Sequence, residues 1–135
     1  MTDFVTAEFK NNIAEITFGT AKSNSLPGAI LENLAQTILE EGAKKEVKAI
    51  LVKSAGEKAF CAGASFDELI SIKDLETGKQ FFSGFAKVIN ACRKAPKFII
   101  GRVQGKAVGG GVGVASAVDY CFATEFAEVK LSELA

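Results

Sequence analysis

Two small-residue segments of the chain could present backbone N–H groups to a ligand. The first, "AFCAGA", ends at Ala64, and the second, "VGGGVG", places Gly110 at the start of an apolar, helix-like run. Glycine costs backbone entropy, so a glycine run needs a reason, and close approach of the backbone to a ligand is one. Two convergent N–H donors, one of them at a helix N-terminus, would make an oxyanion hole. The alternative is that the glycines only pack a helix against a strand.

The absence of histidine limits the chemistry open to these segments. With no histidine, the chain can form neither a Ser-His nor a Cys-His nucleophile system, and most zinc sites are excluded. Cys61, Cys92 and Cys121 lie far apart, with neither metal-binding spacing nor a disulfide framework. We therefore expect reduced, buried thiols in a cytosolic protein, and no metal site.

The two segments belong to longer stretches that resemble each other. Residues 50–64, "ILVKSAGEKAFCAGA", and residues 99–111, "IIGRVQGKAVGGG", share one plan. Each has an apolar strand, a basic residue, a glycine, then Lys-Ala, an apolar residue and glycine, before it enters a helix. Chance similarity and a structural repeat both remain open on the residues alone.

Alternating strand and helix patterns predict an α/β layer architecture. No linker or low-complexity segment divides residues 1–135, so we expect one domain. The predicted elements are strands at 4–9 and 13–18 around an "NN" turn, a helix from Pro27 to Gly42, a strand in "VKAILVKSA", a short helix capped by Ser65, a helix over 75–94 ended by Pro96, a strand in "KFIIGRVQG", a helix to about residue 118, and short strands in "DYCFATE" and "AEVKLSE".

Composition and charge indicate a globular protein without a charged binding surface. Of the residues, 48% are hydrophobic and 24% charged, and the 16 basic and 16 acidic side chains cancel. This balance disfavours a broad nucleic-acid or membrane surface. The apolar run at 107–118 is too short to span a bilayer, and the N-terminal residues show no secretory signal. We therefore expect a cytoplasmic location.

Two stretches match the signature segments of a known family. "KAFCAGASFDEL" and "VQGKAVGGGVGVASAVDYCFATEFAEVKLSEL" resemble those of the enoyl-CoA hydratase/isomerase (crotonase) superfamily, and "IAEITFGTAKSNSL" is similar to its opening hairpin and CoA loop. The resemblance implies a crotonase-like spiral of ββα units, an acyl-CoA thioester substrate, and a homo-trimer or hexamer. Because members are longer than this chain, we expect residues 1–135 to be the N-terminal part, without the C-terminal trimerisation region.

The resemblance also implies a set of catalytic groups. The N–H groups of Ala64 and Gly110 would hold the thioester oxygen, and Glu133 would act as general base and acid. Gly113 stands where the family's two-glutamate hydratases carry their first glutamate. Among members that keep only the second glutamate, the pattern is nearest to bacterial-type methylglutaconyl-CoA hydratases, with 3-hydroxyisobutyryl-CoA hydrolases as the other possibility.

Further residues are expected around the substrate. Phe126, Val129 and Leu131 would supply an apolar pocket for Glu133, whereas an ordinary glutamate would be solvated on the surface. Lys22 and Lys58 fall where the family places basic residues near the CoA phosphates, although surface lysines need no such role. The resemblance adds the following substrate-binding residues: Ala62, Ser65, Phe66 and Gly109. No cofactor is expected, because coenzyme A is part of the substrate.

These observations favour an enzyme that hydrates an enoyl-CoA through a stabilised enolate. Isomerisation of an enoyl-CoA and hydrolysis of a 3-hydroxyacyl-CoA thioester are the close alternatives. A hypothesis of another class is a non-catalytic fragment that keeps part of a CoA-binding fold.

Overall fold

The chain begins with a tight β-hairpin. In the computed structural model, which describes residues 2–134, strands β1 (Phe4–Lys10) and β2 (Ile13–Gly19) pair antiparallel. Asn11 and Asn12 form the turn with φ values of 53° and 65°. Both positive values are those of a two-residue type I′ turn, and asparagine tolerates them better than most residues. The predicted hairpin is confirmed.

Two strand–strand–helix units follow the hairpin and its helix α1 (Gly28–Gly42). The first unit consists of β3 (Ala49–Ser54), β4 (Ala59–Cys61), α2 (Phe66–Ser71) and α3 (Leu75–Lys94). The second consists of β5 (Phe98–Val103), β6 (Lys106–Val108) and α4 (Gly110–Ala117). The chain continues with β7 (Tyr120–Ala123), β8 (Val129–Lys130) and a 3₁₀ helix, Ser132–Leu134.

Each unit contributes one strand to each of two sheets. Within residues 2–134, one sheet has the order β1-β2-β3-β5-β7 and the other β4-β6-β8. Strands β3 and β5 are parallel neighbours, with Ile50 opposite Ile99, and β4 and β6 pair with Cys61 opposite Ala107. The two stretches that resemble each other in sequence are therefore stacked repeats of one ββα unit. Strands β4 and β6 were not predicted, since each has only three residues.

The core lies where helices α1 and α3 cover the inner face of the larger sheet. Burial alternates along β2 and β3, which puts Ile16 and Ile50 among the fully buried side chains. Leu34 of α1 and Val88 of α3 belong to the same cluster. This alternation of buried positions is the pattern by which a strand presents one face to helices, and it sets the register of the sheet.

The C-terminal elements, from β7 to the 3₁₀ helix, are much more exposed to solvent than the two ββα units. Every residue of β7 and β8 is exposed, and each of these strands lies at a sheet edge. The exposed apolar side chains of this region are Tyr120, Phe122, Phe126, Val129, Leu131 and Leu134. Among the helices of residues 2–134, none combines the length and the apolar composition needed to cross a bilayer.

Candidate active site

The loop after β4 lies beside the N-terminus of α4. Gly63 has φ 93°, and a β-carbon at this position would lie 3.1 Å from the Val108 carbonyl oxygen and 3.9 Å from the Gly110 nitrogen. Within residues 2–134, neither the Ala64 N–H nor the Gly110 N–H donates to a protein acceptor. Because β4 and β6 pair in parallel, their ends deliver two available donors to one place.

Each glycine of the triplet has its own steric reason. Gly109 adopts φ 57°, a conformation that side chains disfavour. A β-carbon at Gly110 would lie 2.6 Å from the ring of Phe85, and one at Gly111 would lie 2.9 Å from the Cys61 β-carbon. The packing explanation and the ligand explanation thus apply together: the triplet lets strand, helix and ring approach closely, and it leaves the Gly110 N–H uncovered.

Gly109 itself does not offer a free donor. Its N–H donates to the Lys130 carbonyl oxygen at 2.9 Å, which ties the start of α4 to strand β8. A β-carbon at Gly109 would lie 3.0 Å from Oε1 of Glu133. Gly109, which was predicted to bind substrate, thus lies next to the Glu133 carboxylate. Substitution of Gly109 by any residue with a β-carbon would displace that carboxylate.

The 3₁₀ helix that follows β8 brings Glu133 to the glycine triplet. The two neighbouring strand pairs, β4 with β6 and β6 with β8, place Ala64, Gly110 and Glu133 in one region. Glu133 is exposed to solvent. The expected apolar pocket around it is wrong for the described residues. The three proposed wall residues are themselves exposed: Phe126 at 74%, Val129 at 67% and Leu131 at 50%.

Gly113 lies on α4, close to the helix α3. A β-carbon there would meet Cδ1 of Ile89 at 3.2 Å. A glutamate at this position would therefore begin against the end of a flexible side chain on α3. The space at Gly113 is bounded by an apolar residue.

The other predicted substrate-binding residues on the first segment differ in their exposure to solvent. Ala62 and Ser65 are half-buried beside Ala64, and Phe66 is 69% exposed. The Ser65 hydroxyl accepts a hydrogen bond from the Glu68 N–H at 3.3 Å, which confirms Ser65 as the N-cap of α2. A hydrogen bond from this hydroxyl to a substrate would therefore compete with the hydrogen bond that caps α2.

The two predicted phosphate-binding lysines occupy different positions. Lys22 forms an exposed ion pair with Asp67 at the start of α2, and this partner raises the pKa of the Lys22 ammonium. Lys58 is also exposed, but it precedes β4, whereas Ala64 follows it. The structure therefore brings Lys22 next to the helix that follows the first donor, and it places Lys58 at the opposite end of the strand.

The cysteines fit packing better than reactivity. Burial raises the pKa of the Cys61 thiol to about 12 and that of Cys92 to about 11, so both thiols stay protonated near neutral pH. Cys121 is exposed, which corrects the expectation that all three thiols are buried. In the described part of the chain, no group of His, Cys, Asp and Glu side chains is arranged to hold a metal ion.

The Glu68 carboxylate has its hydrogen-bond partner outside its own helix. "SFDE" has the capping-box pattern, in which Glu68 would turn back to the N–H of Ser65. Instead, both Glu68 carboxylate oxygens accept from the Gly28 N–H, at 3.0 and 2.9 Å. Nothing in the local pattern signals this contact, because Gly28 lies 40 residues away.

A cleft of about 430 Å³ lies behind this contact, between α1, α2 and α3. Glu68, Phe81 and Gly84 are among its lining residues, and none of the predicted catalytic or substrate-binding residues is. The cleft is therefore separate from the site formed by Ala64, Gly110 and Glu133. On α3, Phe85 packs against the core, whereas Phe82 is 71% exposed.

Known families and proteins resemble this chain over most of its length. The family model described as "Enoyl-CoA hydratase/isomerase" matches residues 8–135. The short-chain-enoyl-CoA hydratase of Clostridium acetobutylicum is 32% identical over 131 residues, which are 96% of this chain and 50% of that protein. The mitochondrial methylglutaconyl-CoA hydratase of Rattus norvegicus is 33% identical over 110 residues, which are 82% of this chain and 35% of that protein.

A solved structure gives the same result for the fold. The crystal structure of an enoyl-CoA hydratase from Bacillus anthracis superposes with a TM-score of 0.89 at 26% identity, over 96% of this chain and 51% of that one. The chain thus spans about half the length of proteins that it matches.

Proposed function

The chain belongs to the enoyl-CoA hydratase/isomerase family, and from this premise we propose that the whole protein hydrates an enoyl-CoA thioester through a stabilised enolate. The observation that carries the proposal is the closeness of the Gly63–Ala64 loop to Gly110, with neither the Ala64 nor the Gly110 N–H engaged within residues 2–134, and of Gly109 to the Glu133 carboxylate. Both relatives described above are named as hydratases of unsaturated acyl-CoA thioesters, which supports the same reaction class.

In the proposed reaction, water attacks the β-carbon of the enoyl thioester while Glu133 removes a proton from that water. The π electrons of the carbon–carbon double bond shift toward the carbonyl, so negative charge develops on the thioester oxygen. Preorganised N–H groups of Ala64 and Gly110 would stabilise this charge more than the neutral carbonyl. Glu133 then returns the proton to the α-carbon, so one water has been added and the carboxylate is regenerated.

One carboxylate serves both proton transfers in this scheme. Gly113 supplies no second acid or base, and its neighbour Ile89 is apolar. A single glutamate suffices if the same group removes the proton from water and delivers it to carbon, because the proton is conserved over the cycle. No cofactor is required in this proposal, since coenzyme A enters as part of the substrate.

The proposal is tested on the full-length protein by binding and turnover together. Calorimetry with crotonyl-CoA and with free crotonate should show binding of the thioester only. Glu133→Gln keeps the size of the side chain but removes the base, so kcat should fall by about 10²- to 10⁴-fold while CoA binding persists. Equal weak binding of both compounds, or activity within a few-fold of wild type in Glu133→Gln, would contradict the proposal.

Isomerisation and thioester hydrolysis are second candidates, favoured by the single carboxylate. Moving a proton between the γ- and α-carbons needs one base and no second glutamate opposite it. A panel of enoyl-CoA and hydroxyacyl-CoA thioesters separates these reactions. Hydration removes the absorbance of the conjugated double bond, isomerisation creates or moves it, and hydrolysis releases a free thiol. A full-length protein that does none of these would instead be a non-catalytic CoA-binding protein.

The finer features of the substrate and assembly belong to the same proposal. A methylglutaconyl-type acyl group, branched and acidic, is the substrate we propose, because Gly113 replaces the first glutamate and one relative is named methylglutaconyl-CoA hydratase. A homo-trimer or hexamer in the cytoplasm would be the working form. Light scattering of the full-length protein checks the assembly, and relative kcat/KM for crotonyl-CoA and a branched glutaconyl-CoA checks the acyl preference.

A further inference from the structure

The N-terminus of helix α1 is capped from outside the helix. Pro27 occupies the N-cap position and provides no side-chain hydrogen bond. The Gly28 N–H, one of the unsatisfied donors at the start of any helix, donates instead to both carboxylate oxygens of Glu68. Glu68 is half-buried on α2, so this contact fastens α2 to α1.

A second hydrogen bond fastens the residue before the first proposed donor. The Leu26 N–H donates to the Gly63 carbonyl oxygen at 2.8 Å. The Gly63–Ala64 peptide is trans, so its C=O and N–H point to opposite sides of one plane. The Ala64 N–H must therefore point away from Leu26. The Leu26–Gly63 bond, together with the parallel bridge between Leu26 and Ala64, sets this direction.

The two contacts close a ring around the Ala64 peptide. On one side, Leu26 and Gly28 flank Pro27, whose ring restricts its φ to near the observed −69°. On the other side, Gly63 and Glu68 flank the turn that leads into α2. Helix α2 has six residues, none of them buried, so apolar packing does little to hold it. Glu68 is thus a principal anchor of the ring.

We propose that Glu68 is a positioning residue that keeps the Ala64 N–H directed at the thioester oxygen. The inference rests on the proposed function, because it assigns a target to that N–H. Glu68 acts through the α1 terminus and contacts no reacting atom. Since the Ala64 N–H would meet more charge in the transition state than in the ground state, a misdirected donor lowers kcat more than it changes KM.

The test compares variants that separate the position of the acceptor from its charge. Glu68→Gln keeps an oxygen at full reach without the charge, and Glu68→Asp keeps the charge but shortens the reach. Gly28→Pro removes the donor at the first helical position, where the φ of proline suits a helix start and the extended ψ of 160° at Pro27 suits a following proline. Its ring carbon also displaces the Glu68 carboxylate that accepted the bond. Glu32→Ala is the matched control, since Glu32 is an exposed carboxylate of α1 on the same cleft.

Each full-length variant is assayed for kcat and KM with an enoyl-CoA, and for the enolate absorbance of a bound 3-ketoacyl-CoA. We expect kcat about tenfold lower or more in Glu68→Asp and Gly28→Pro, with a weaker enolate band, since one oxyanion donor accounts for about 10²- to 10³-fold. KM should stay within about twofold, and Glu68→Gln and Glu32→Ala should resemble the wild type. A stability defect alone would leave the enolate band of the folded fraction unchanged.

Three results would overturn the inference. They are unchanged kcat in folded Gly28→Pro, equal losses in Glu68→Gln and Glu68→Asp, and a KM increase without a kcat decrease. If Glu68→Asp does not fold, the result for Gly28→Pro decides. Failure of the proposed function is recognised separately, because the wild-type protein would then neither turn over the enoyl-CoA nor produce the enolate band.

Discussion

The two ββα units place similar backbone donors by different means. In the second unit, close packing adds to the Gly109–Lys130 hydrogen bond at the start of α4: Gly110 lies against Phe85, and Gly111 lies against Cys61. In the first unit, Ala64 precedes α2, which buries none of its residues and is held by polar contacts of Ser65, Asp67 and Glu68. The same sequence pattern therefore places the Gly110 N–H mainly through close packing and the Ala64 N–H mainly through hydrogen bonds and an ion pair.

This difference predicts which substitutions each donor tolerates. Steric changes should damage the second unit and leave the first intact. Changes of polar groups should loosen the first unit with little effect on global stability. The following variants test this contrast in the full-length protein, in order of decreasing expected effect.

Gly110→Ala should have the largest effect. The new β-carbon would collide with the Phe85 ring, 2.6 Å away, and displace the N–H that the second unit supplies. We expect kcat/KM to fall by about 10²- to 10³-fold, comparable to removal of one oxyanion donor. The smaller side chain in Gly110→Ala/Phe85→Leu should recover part of the loss. Ser116→Ala, on an exposed position of the same helix, serves as the control, and activity within a few-fold in Gly110→Ala would contradict the steric account.

Gly111→Ala should reduce global stability. Its β-carbon would lie 2.9 Å from that of buried Cys61, with the Cys61 carbonyl oxygen closer still. Overpacking of this kind costs about 1–3 kcal/mol of the free energy of unfolding. Gly113→Ala is a matched control on the same helix, because its β-carbon would meet only Cδ1 of Ile89, at 3.2 Å. The control should gain up to about 1 kcal/mol from helix propensity. Urea unfolding measures both, and equal midpoints would refute the distinction.

Ser65→Ala should loosen α2 without unfolding the protein. Loss of an N-cap costs about 1 kcal/mol, but α2 has no buried residue through which to transmit that cost to the core. We expect faster amide hydrogen exchange over residues 66–71 and a small change in the urea midpoint. Asp74→Ala removes the corresponding cap of α3, which does bury residues, and should lower the midpoint more. The reverse order of the two midpoints would show that α2 is part of the cooperative core.

Lys22→Met should have the smallest effect on stability. The side chains of Lys22 and Asp67 are 72% and 65% exposed, and exposed ion pairs contribute about 0–1 kcal/mol. If Lys22 contacts the CoA phosphates, KM for the thioester rises several-fold at low salt, and kcat is unchanged. Lys45→Met, in the exposed turn after α1, is the control. The same KM in both variants would remove Lys22 from the binding site.

Much of the site could be predicted from the sequence because its signals are local. Three glycines at 109–111 and the small residues before Ala64 mark two places of close backbone approach. The internal similarity of residues 50–64 and 99–111 predicted that the two places could be equivalent, and the parallel pairing of β3 with β5 and of β4 with β6 bears this out. The helix predicted over residues 75–94 and ended by Pro96 is likewise observed with those bounds.

Other features depend on contacts between distant residues, which no local pattern encodes. The three-residue strands β4 and β6 exist because they pair with each other, and so short a segment has no periodicity of its own. Phe126, Val129 and Leu131 were expected to form a pocket because they are apolar and near Glu133 in sequence. Whether such side chains are buried depends on which other residues pack against them, and in residues 2–134 they are exposed.

The sequence by itself determined the chemical groups: glycine and alanine where backbone donors are uncovered, a glutamate near the end of the matched segment, and no histidine. Only the tertiary structure decided their arrangement. It placed the Glu133 carboxylate against Gly109, turned Glu68 from its own helix toward Gly28, and left Lys58 at the far end of β4 from Ala64. The physical reason is that residue types limit which bonds can form, whereas the pairing of strands and the packing of helices decide which groups come within bonding distance.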